Sequence, residues 1–146
     1  WGADEVLNIF ENEKISFKDR VKDLTNGKGA DVIYDPVGGE VFDQSIRCIN
    51  WGGRLLIIGF AGGTIPTLPV NYPLIKGFSV VGVRAGEFGR RDPVLGKENI
   101  EIINSLADED KVRPHICKVF DFKDSKEALE YLENRELIGK VVIRIN

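Results

Sequence analysis

The sequence predicts an α/β protein built on a doubly wound parallel sheet. Three stretches are continuously apolar rather than alternating, which is typical of parallel strands covered on both faces. They are residues 32–35, 54–60 and 78–83. Each ends in a turn that contains glycine. Because ligands of open α/β sheets bind just outside the carboxyl ends of the strands, these turns are the first candidate site.

The composition excludes several classes of function. The 146 residues are 42% apolar and 29% charged, enough for one domain with a core, and the net charge of -3 predicts no general attraction to nucleic acid or anionic membranes. Two cysteines, Cys48 and Cys117, and one histidine, His115, make neither a disulfide framework nor a usual zinc set. With no signal-peptide pattern, we expect a cytoplasmic location, with the mitochondrial matrix as the alternative.

The first part of the chain predicts a strand over residues 5–9 and then a helix. Ser16 and Asp19 have the spacing of a capping box at the start of that helix. Glycine supplies its left-handed cap in the segment 26–29. The strand 32–35 follows, and a helix begins at Gly39, with apolar residues at helical spacing up to about residue 49.

The second part continues the alternation of strands and helices. After the strand 54–60 come a loop over 64–69, one or two helical turns over 71–76 and the strand 78–83. We expect a loop over 87–92, then a long helix capped by Asp92 with Pro93 at its first position. Its weak point is Gly96, since glycine inside a helix costs about 1 kcal/mol. A final strand–helix–strand segment is predicted from strands at 117–122 and 141–145, with the helix start framed by residues 124–127.

The turn at residues 36–39 has two interpretations. An ordinary β–α turn also favours glycine, so these residues alone are compatible with a plain turn and with a ligand site. Similar turns after the next two strands favour a crevice that a flat, phosphate-bearing ligand can approach. Asp35 could be proposed as a base, but an Asp before Pro at a strand end is more often a turn capper.

Six segments together resemble the quinone oxidoreductase branch of the medium-chain dehydrogenase/reductase superfamily; they are residues 2–4, 29–39, 52–54, 59–63, 113–114 and 139–142. The resemblance implies a partial Rossmann domain over 1–112 that lacks its first two strands and their glycine fingerprint. It also implies a C-terminal segment, 113–146, that returns to a catalytic domain. Together with the absence of Met, it predicts that the chain is the back part of a longer protein.

The resemblance also implies a site made of backbone and shape. The turns after the family's fourth, fifth and sixth strands line the nicotinamide of a bound NADP, and the matching positions here are Pro36, Val37, Gly38, Gly39, Ile58, Gly59, Phe60, Ala61, Gly82, Val83 and Arg84. No residue is assigned as catalytic or as a metal ligand. Ile9 stands where relatives often carry a Tyr, which weakens the inference of NADP over NAD.

Three functions remain open for the parent protein. The first is a zinc-independent, NADPH-dependent reductase of quinones or conjugated carbonyls. The others are a 2-enoyl thioester reductase and a non-enzymatic relative of the same fold. This chain alone is expected to be inactive and to bind NAD(P)H weakly.

Two further expectations concern the glycines and self-association. Gly59→Val and Gly38→Val are expected to raise the KM for the cofactor with little change in folding. A homodimer is expected through strand 78–83, an uncharged edge with no Pro. Residues 4–9 are expected to be displaced because their sheet neighbours are absent.

Overall fold

The computed structural model describes residues 2–8, 16–134 and 137–145. The chain divides into two compact units, Trp1–Ala85 and Gly86–Asn146. The predicted boundary between residues 112 and 113 concerns functional domains rather than compactness, and it stays a prediction.

The first unit is a three-stranded parallel sheet with helices between its strands. The strands lie in the order β1–β2–β3 and both pairs are parallel, so the predicted parallel sheet is confirmed. Both connections between strands cross over through helical segments, as parallel pairing requires. The elements are α1 (Phe17–Leu24), β1 (Ala30–Asp35), α2 (Gly39–Cys48), β2 (Ile49–Ile57), α3 (Asn71–Lys76) and β3 (Ser79–Gly82).

The core of this unit lies between α2 and one face of the sheet. Leu55 of β2, the central strand of this sheet, is completely buried and lies in register with Ile33 and Val80. Burying one such side chain stabilises the fold by about 1.5–3 kcal/mol. The buried cluster consists of Phe42, Ile46, Ile49, Leu55 and Phe78.

The face of the sheet that points away from α2 is more exposed at β1 than the sequence predicted. Val32 is 48% exposed and Tyr34 is 66% exposed, so the prediction that residues 32–35 are all buried is wrong for these two. They alternate with Ile33 and Asp35 along β1 and therefore point away from the face that packs on α2. Continuous apolar sequence was a correct sign of a parallel strand but not of burial on both faces.

Two predictions near the N-terminus are corrected. Residues 5–8 form no strand, and Ile9 lies outside the described residues. Ser16 does begin α1, since its carbonyl accepts the N–H of Asp19 at 3.1 Å, but its side chain makes no cap hydrogen bond. Its hydroxyl donates to Gln44 of α2 instead, because a tertiary acceptor competes with the local one.

The second unit contains two helices followed by a two-stranded parallel sheet. Its elements are α4 (Ala85–Arg91), α5 (Pro93–Asp108), β4 (Ile116–Asp121), a 3₁₀ turn (Phe122–Asp124), α6 (Ser125–Glu133) and β5 (Lys140–Arg144). The predicted strand–helix–strand segment is confirmed. Phe120 of β4 and Ala128 of α6 are its buried residues.

The predicted loop over 87–92 is wrong, because α4 occupies most of it. Glu87 forms ion pairs with Arg90 and Arg91, one turn along the helix, a spacing that supports helices. The cap at Asp92 is confirmed: its side chain accepts the N–H of Leu95 at 3.0 Å.

Gly96 has a packing reason for lying inside α5. A Cβ atom at this position would lie 2.7 Å from the Cα of Gly89 in α4. The two helices therefore approach backbone to backbone, and the intrinsic cost of glycine in a helix is offset by that close contact.

Candidate functional site

The carboxyl ends of the three parallel strands lie side by side in register. Asp35 of β1 pairs with Ile57 of β2, which pairs with Gly82 of β3. The ladder runs one step further, since Ile58 N–H donates to the Asp35 carbonyl and Val83 N–H donates to the Ile57 carbonyl, both at 3.0 Å. The three turns predicted from the sequence therefore leave the same edge of the sheet.

The first turn is shaped by the side chain of Asp35. This residue is only 2% exposed. Its Oδ1 accepts the backbone N–H groups of Val37 at 2.9 Å and Gly38 at 3.0 Å. Asp35 is therefore the turn capper that the sequence favoured over a base.

The first and second turns are joined by backbone hydrogen bonds. Ala61 N–H donates to the Pro36 carbonyl at 3.0 Å, and Gly62 N–H donates to the Val37 carbonyl at 2.9 Å. The segments 36–39 and 58–62 thus form one connected surface. The sequence predicted only a turn at Gly62–Gly63 and not the hydrogen bond that the Gly62 N–H donates to the first turn.

Gly38 is required by the fold itself. Its φ of 73° lies in the left-handed region. A Cβ atom here would lie 2.9 Å from the Thr64 carbonyl oxygen and 3.1 Å from the Phe60 ring. The expectation that Gly38→Val changes folding little is therefore wrong, because the substitution strains the backbone and collides with the neighbouring turn.

Gly59 and Gly82, by contrast, are not required by the packing of the described residues. Neither has a left-handed φ. A Cβ on Gly59 would meet only the Pro36 carbonyl oxygen, at an ordinary 3.5 Å, and one on Gly82 would meet nothing within 4 Å. We call the space beside these two glycines, at the carboxyl ends of β2 and β3, the notch, because a side chain at either position would extend into it without a clash.

The remaining predicted site residues belong to the turns that follow the three strands. Ile58 and Val37 are half-buried, whereas Phe60 and Ala61 are exposed. Val83 and the cationic Arg84 follow β3 and are exposed. The polar groups at these turns are backbone N–H and C=O groups rather than an acid or a base.

Two titratable groups lie at the opposite end of α2 from the site. Burial raises the pKa of the Cys48 thiol, and nearby Lys76 partly opposes that shift. Burial also lowers the pKa of Lys76, whose Nζ donates to the Ile46 carbonyl at 2.8 Å. Both belong to the packing of this end of the helix.

The described residues offer no metal centre and no membrane span. No cluster of three or more His, Cys, Asp or Glu side chains with the arrangement of a metal site occurs among them. Across residues 2–8, 16–134 and 137–145, every helix falls short of the length and apolar character needed to cross a bilayer.

Parallel strands with glycine turns at aligned carboxyl ends define the class: a Rossmann-type α/β fold. Comparisons with known proteins agree. The sequence profile of the family described as zinc-binding dehydrogenase matches residues 1–143. The chain is 40% identical over 129 residues to a quinone oxidoreductase-like protein 2 homolog of Nematostella vectensis, covering 88% of this chain and 35% of that protein.

Solved structures show the same likeness. The structure of mycobacterial Rv1454c complexed with NADPH matches with a TM-score of 0.79 and 26% identity, over 97% of this chain and 44% of that one. JamJ enoyl reductase shares the fold, with a TM-score of 0.71 and 23% identity, over 87% of this chain and 38% of that one.

The chain belongs to the zinc-binding dehydrogenase family, in the quinone oxidoreductase branch of the medium-chain dehydrogenase/reductase superfamily. It spans little more than a third of the length of the Nematostella relative.

Proposed function

We propose that the parent protein is a zinc-independent, NADPH-dependent oxidoreductase that reduces quinones or conjugated carbonyls. The observation that carries the proposal is the notch at Gly59 and Gly82, which packing alone does not require. The quinone oxidoreductase-like relative and the NADPH complex of a related structure support the same activity and cofactor.

Within this proposal, the chain provides the nicotinamide side of the cofactor site. The residues that hold it are 36–39, 58–61 and 82–84, with Asp35 fixing the first turn. The bound cofactor supplies the hydride. The residues of this chain bind and orient the ring by shape and backbone hydrogen bonding, and catalysis gains from that positioning.

The residues 1–112 are proposed to be part of the nucleotide-binding domain and 113–146 the segment that returns to the catalytic domain. We propose a cytoplasmic location and a homodimer through β3. This strand lies at the edge of the described sheet, and its four residues are exposed. Pairing of two β3 strands across a two-fold axis would satisfy both edges at once.

A 2-enoyl thioester reductase is the second candidate, since the enoyl reductase neighbour has the same fold. The test is turnover of NADPH by the full-length parent with a series of quinones and with enoyl-CoA esters. Preferential turnover of quinones supports the proposal, preference for the esters supports the alternative, and no turnover of either contradicts both. In that last case, a parent that also lacks the glycine fingerprint upstream of Trp1 would be a non-enzymatic relative.

A further inference from the structure

We propose that Asp35 is a positioning residue whose single carboxylate sets the shape of both the first and the second glycine turn. The inference rests on the proposed function, because it assigns Asp35 to the site that would receive the nicotinamide. It goes beyond that function by naming the group that makes this surface rigid before the cofactor arrives.

Asp35 forms hydrogen bonds through both its side chain and its main chain. Oδ1 accepts the N–H groups of Val37 and Gly38 at 2.9 and 3.0 Å, while the main-chain carbonyl accepts Ile58 N–H at 3.0 Å. The residue is 2% exposed, so water does not compete freely for these bonds.

Because the peptide bond is planar, each of these N–H groups is rigidly linked to the carbonyl group of the preceding residue. The N–H of Val37 lies in the same rigid plane as the carbonyl of Pro36, and the N–H of Gly38 lies in the same plane as the carbonyl of Val37. One carboxylate oxygen therefore holds two consecutive peptide planes by their N–H ends.

The carbonyl ends of the same two peptide planes accept hydrogen bonds from the second turn. The Pro36 carbonyl accepts Ala61 N–H at 3.0 Å, and the Val37 carbonyl accepts Gly62 N–H at 2.9 Å. Rotation of either plane would break a bond to Asp35 and a bond to the second turn together. Asp35 thus fixes the segment 61–62 through the first turn.

The need for an acceptor oxygen predicts which substitutions of Asp35 preserve the two turns. Asparagine keeps an acceptor oxygen at the position of Oδ1 and can hold both N–H groups. Alanine leaves the half-buried N–H of Val37 and the buried N–H of Gly38 without their acceptor and frees both planes. A small displacement of groups that orient a substrate can cost catalysis far more than it costs stability.

The experiment uses the full-length parent with Asp35→Ala and Asp35→Asn. We expect Asp35→Ala to raise the KM for NADPH about tenfold and to lower kcat, and Asp35→Asn to stay within about twofold of the wild type. The matched control is Ile46→Ala, which removes a core side chain of α2 that is 3% exposed. It should lower the Tm with an unchanged KM for NADPH.

A second readout does not depend on the cofactor. Amide hydrogen exchange at Ala61 and Gly62 should become at least about tenfold faster in Asp35→Ala and stay close to wild type in Asp35→Asn. Unchanged exchange at these two amides overturns the inference, as does an Asp35→Asn protein as impaired as Asp35→Ala.

Failure of the wild type to bind NADPH contradicts the proposed function instead, while the exchange data still decide the role of Asp35. If Asp35→Ala does not fold, Asp35→Asn decides: KM and exchange close to wild type support the inference, and a tenfold change in either overturns it.

Discussion

Replacing Gly59 by alanine tests whether this glycine is needed for cofactor binding or for folding. The added methyl group would lie 3.5 Å from the Pro36 carbonyl oxygen, an ordinary contact, and the backbone there has no left-handed φ. Since alanine restricts the unfolded chain more than glycine does, the free energy of unfolding should stay the same or rise by about 0.4–1 kcal/mol. The notch, however, becomes shallower by one methyl group.

The affinity for the cofactor should fall while the stability does not. We expect Gly59→Ala to weaken NADPH binding by the full-length parent about tenfold, equivalent to ~1.4 kcal/mol, and the larger Gly59→Val to weaken it further. NADPH fluorescence titration gives the Kd, and thermal unfolding of the same samples without cofactor gives the Tm.

Gly38→Ala is the matched control, because it adds the same methyl group in the neighbouring turn. Its φ of 73° and the 2.9 Å approach to the Thr64 carbonyl oxygen should lower stability by about 1–3 kcal/mol. The reasoning is refuted if Gly59→Ala lowers the Tm as Gly38→Ala does, or if its Kd for NADPH equals that of the wild type.

Three further predictions test the packing and the assembly. Val81→Lys on the edge strand β3 should weaken the homodimer at least about tenfold in sedimentation experiments, whereas Val32→Lys on β1 should not; the reverse result would place the interface at β1. Gly96→Ala should lower the Tm, because the new Cβ would lie 2.7 Å from the Gly89 Cα; a rise would mean that helix propensity outweighs that contact. Because the folded-state pKa of Cys48 is raised above 9.0, its contribution to stability is present below that pH and is lost as the pH rises through the folded-state pKa. Cys48→Ala should reduce this alkaline loss in urea unfolding, and an unchanged loss would assign it to other groups. The lowered pKa of Lys76 acts in the opposite direction in both proteins.

The strands and most helices could be predicted because their signals are local. The apolar runs and glycine turns are enough to place β1, β2 and β3, and Asp92–Pro93 marks the start of α5. The helix over residues 85–91 was missed because its glycines and charges are typical of a loop, whereas ion pairs of Glu87 one turn apart support it. Such pairs depend on the helix that they stabilise.

The location of the site could be predicted, but not which of its glycines matter. Gly38 and Gly59 are equivalent in sequence, since each follows an apolar strand. Their difference depends on what lies across the turn: a Cβ at Gly38 would lie 2.9 Å from the Thr64 carbonyl oxygen, whereas one at Gly59 would make only an ordinary contact of 3.5 Å with the Pro36 carbonyl oxygen. The bonds from Ala61 and Gly62 to the first turn join residues about 25 positions apart, and no local pattern encodes them.

The most direct test of the nicotinamide site is a crystal structure of the full-length parent with NADPH. We expect the nicotinamide ring within van der Waals distance, about 4 Å, of the Gly59 and Gly82 backbone, with the turns 36–39 and 58–61 arranged as they are here. A nicotinamide bound away from the carboxyl ends of β1, β2 and β3 would contradict the account.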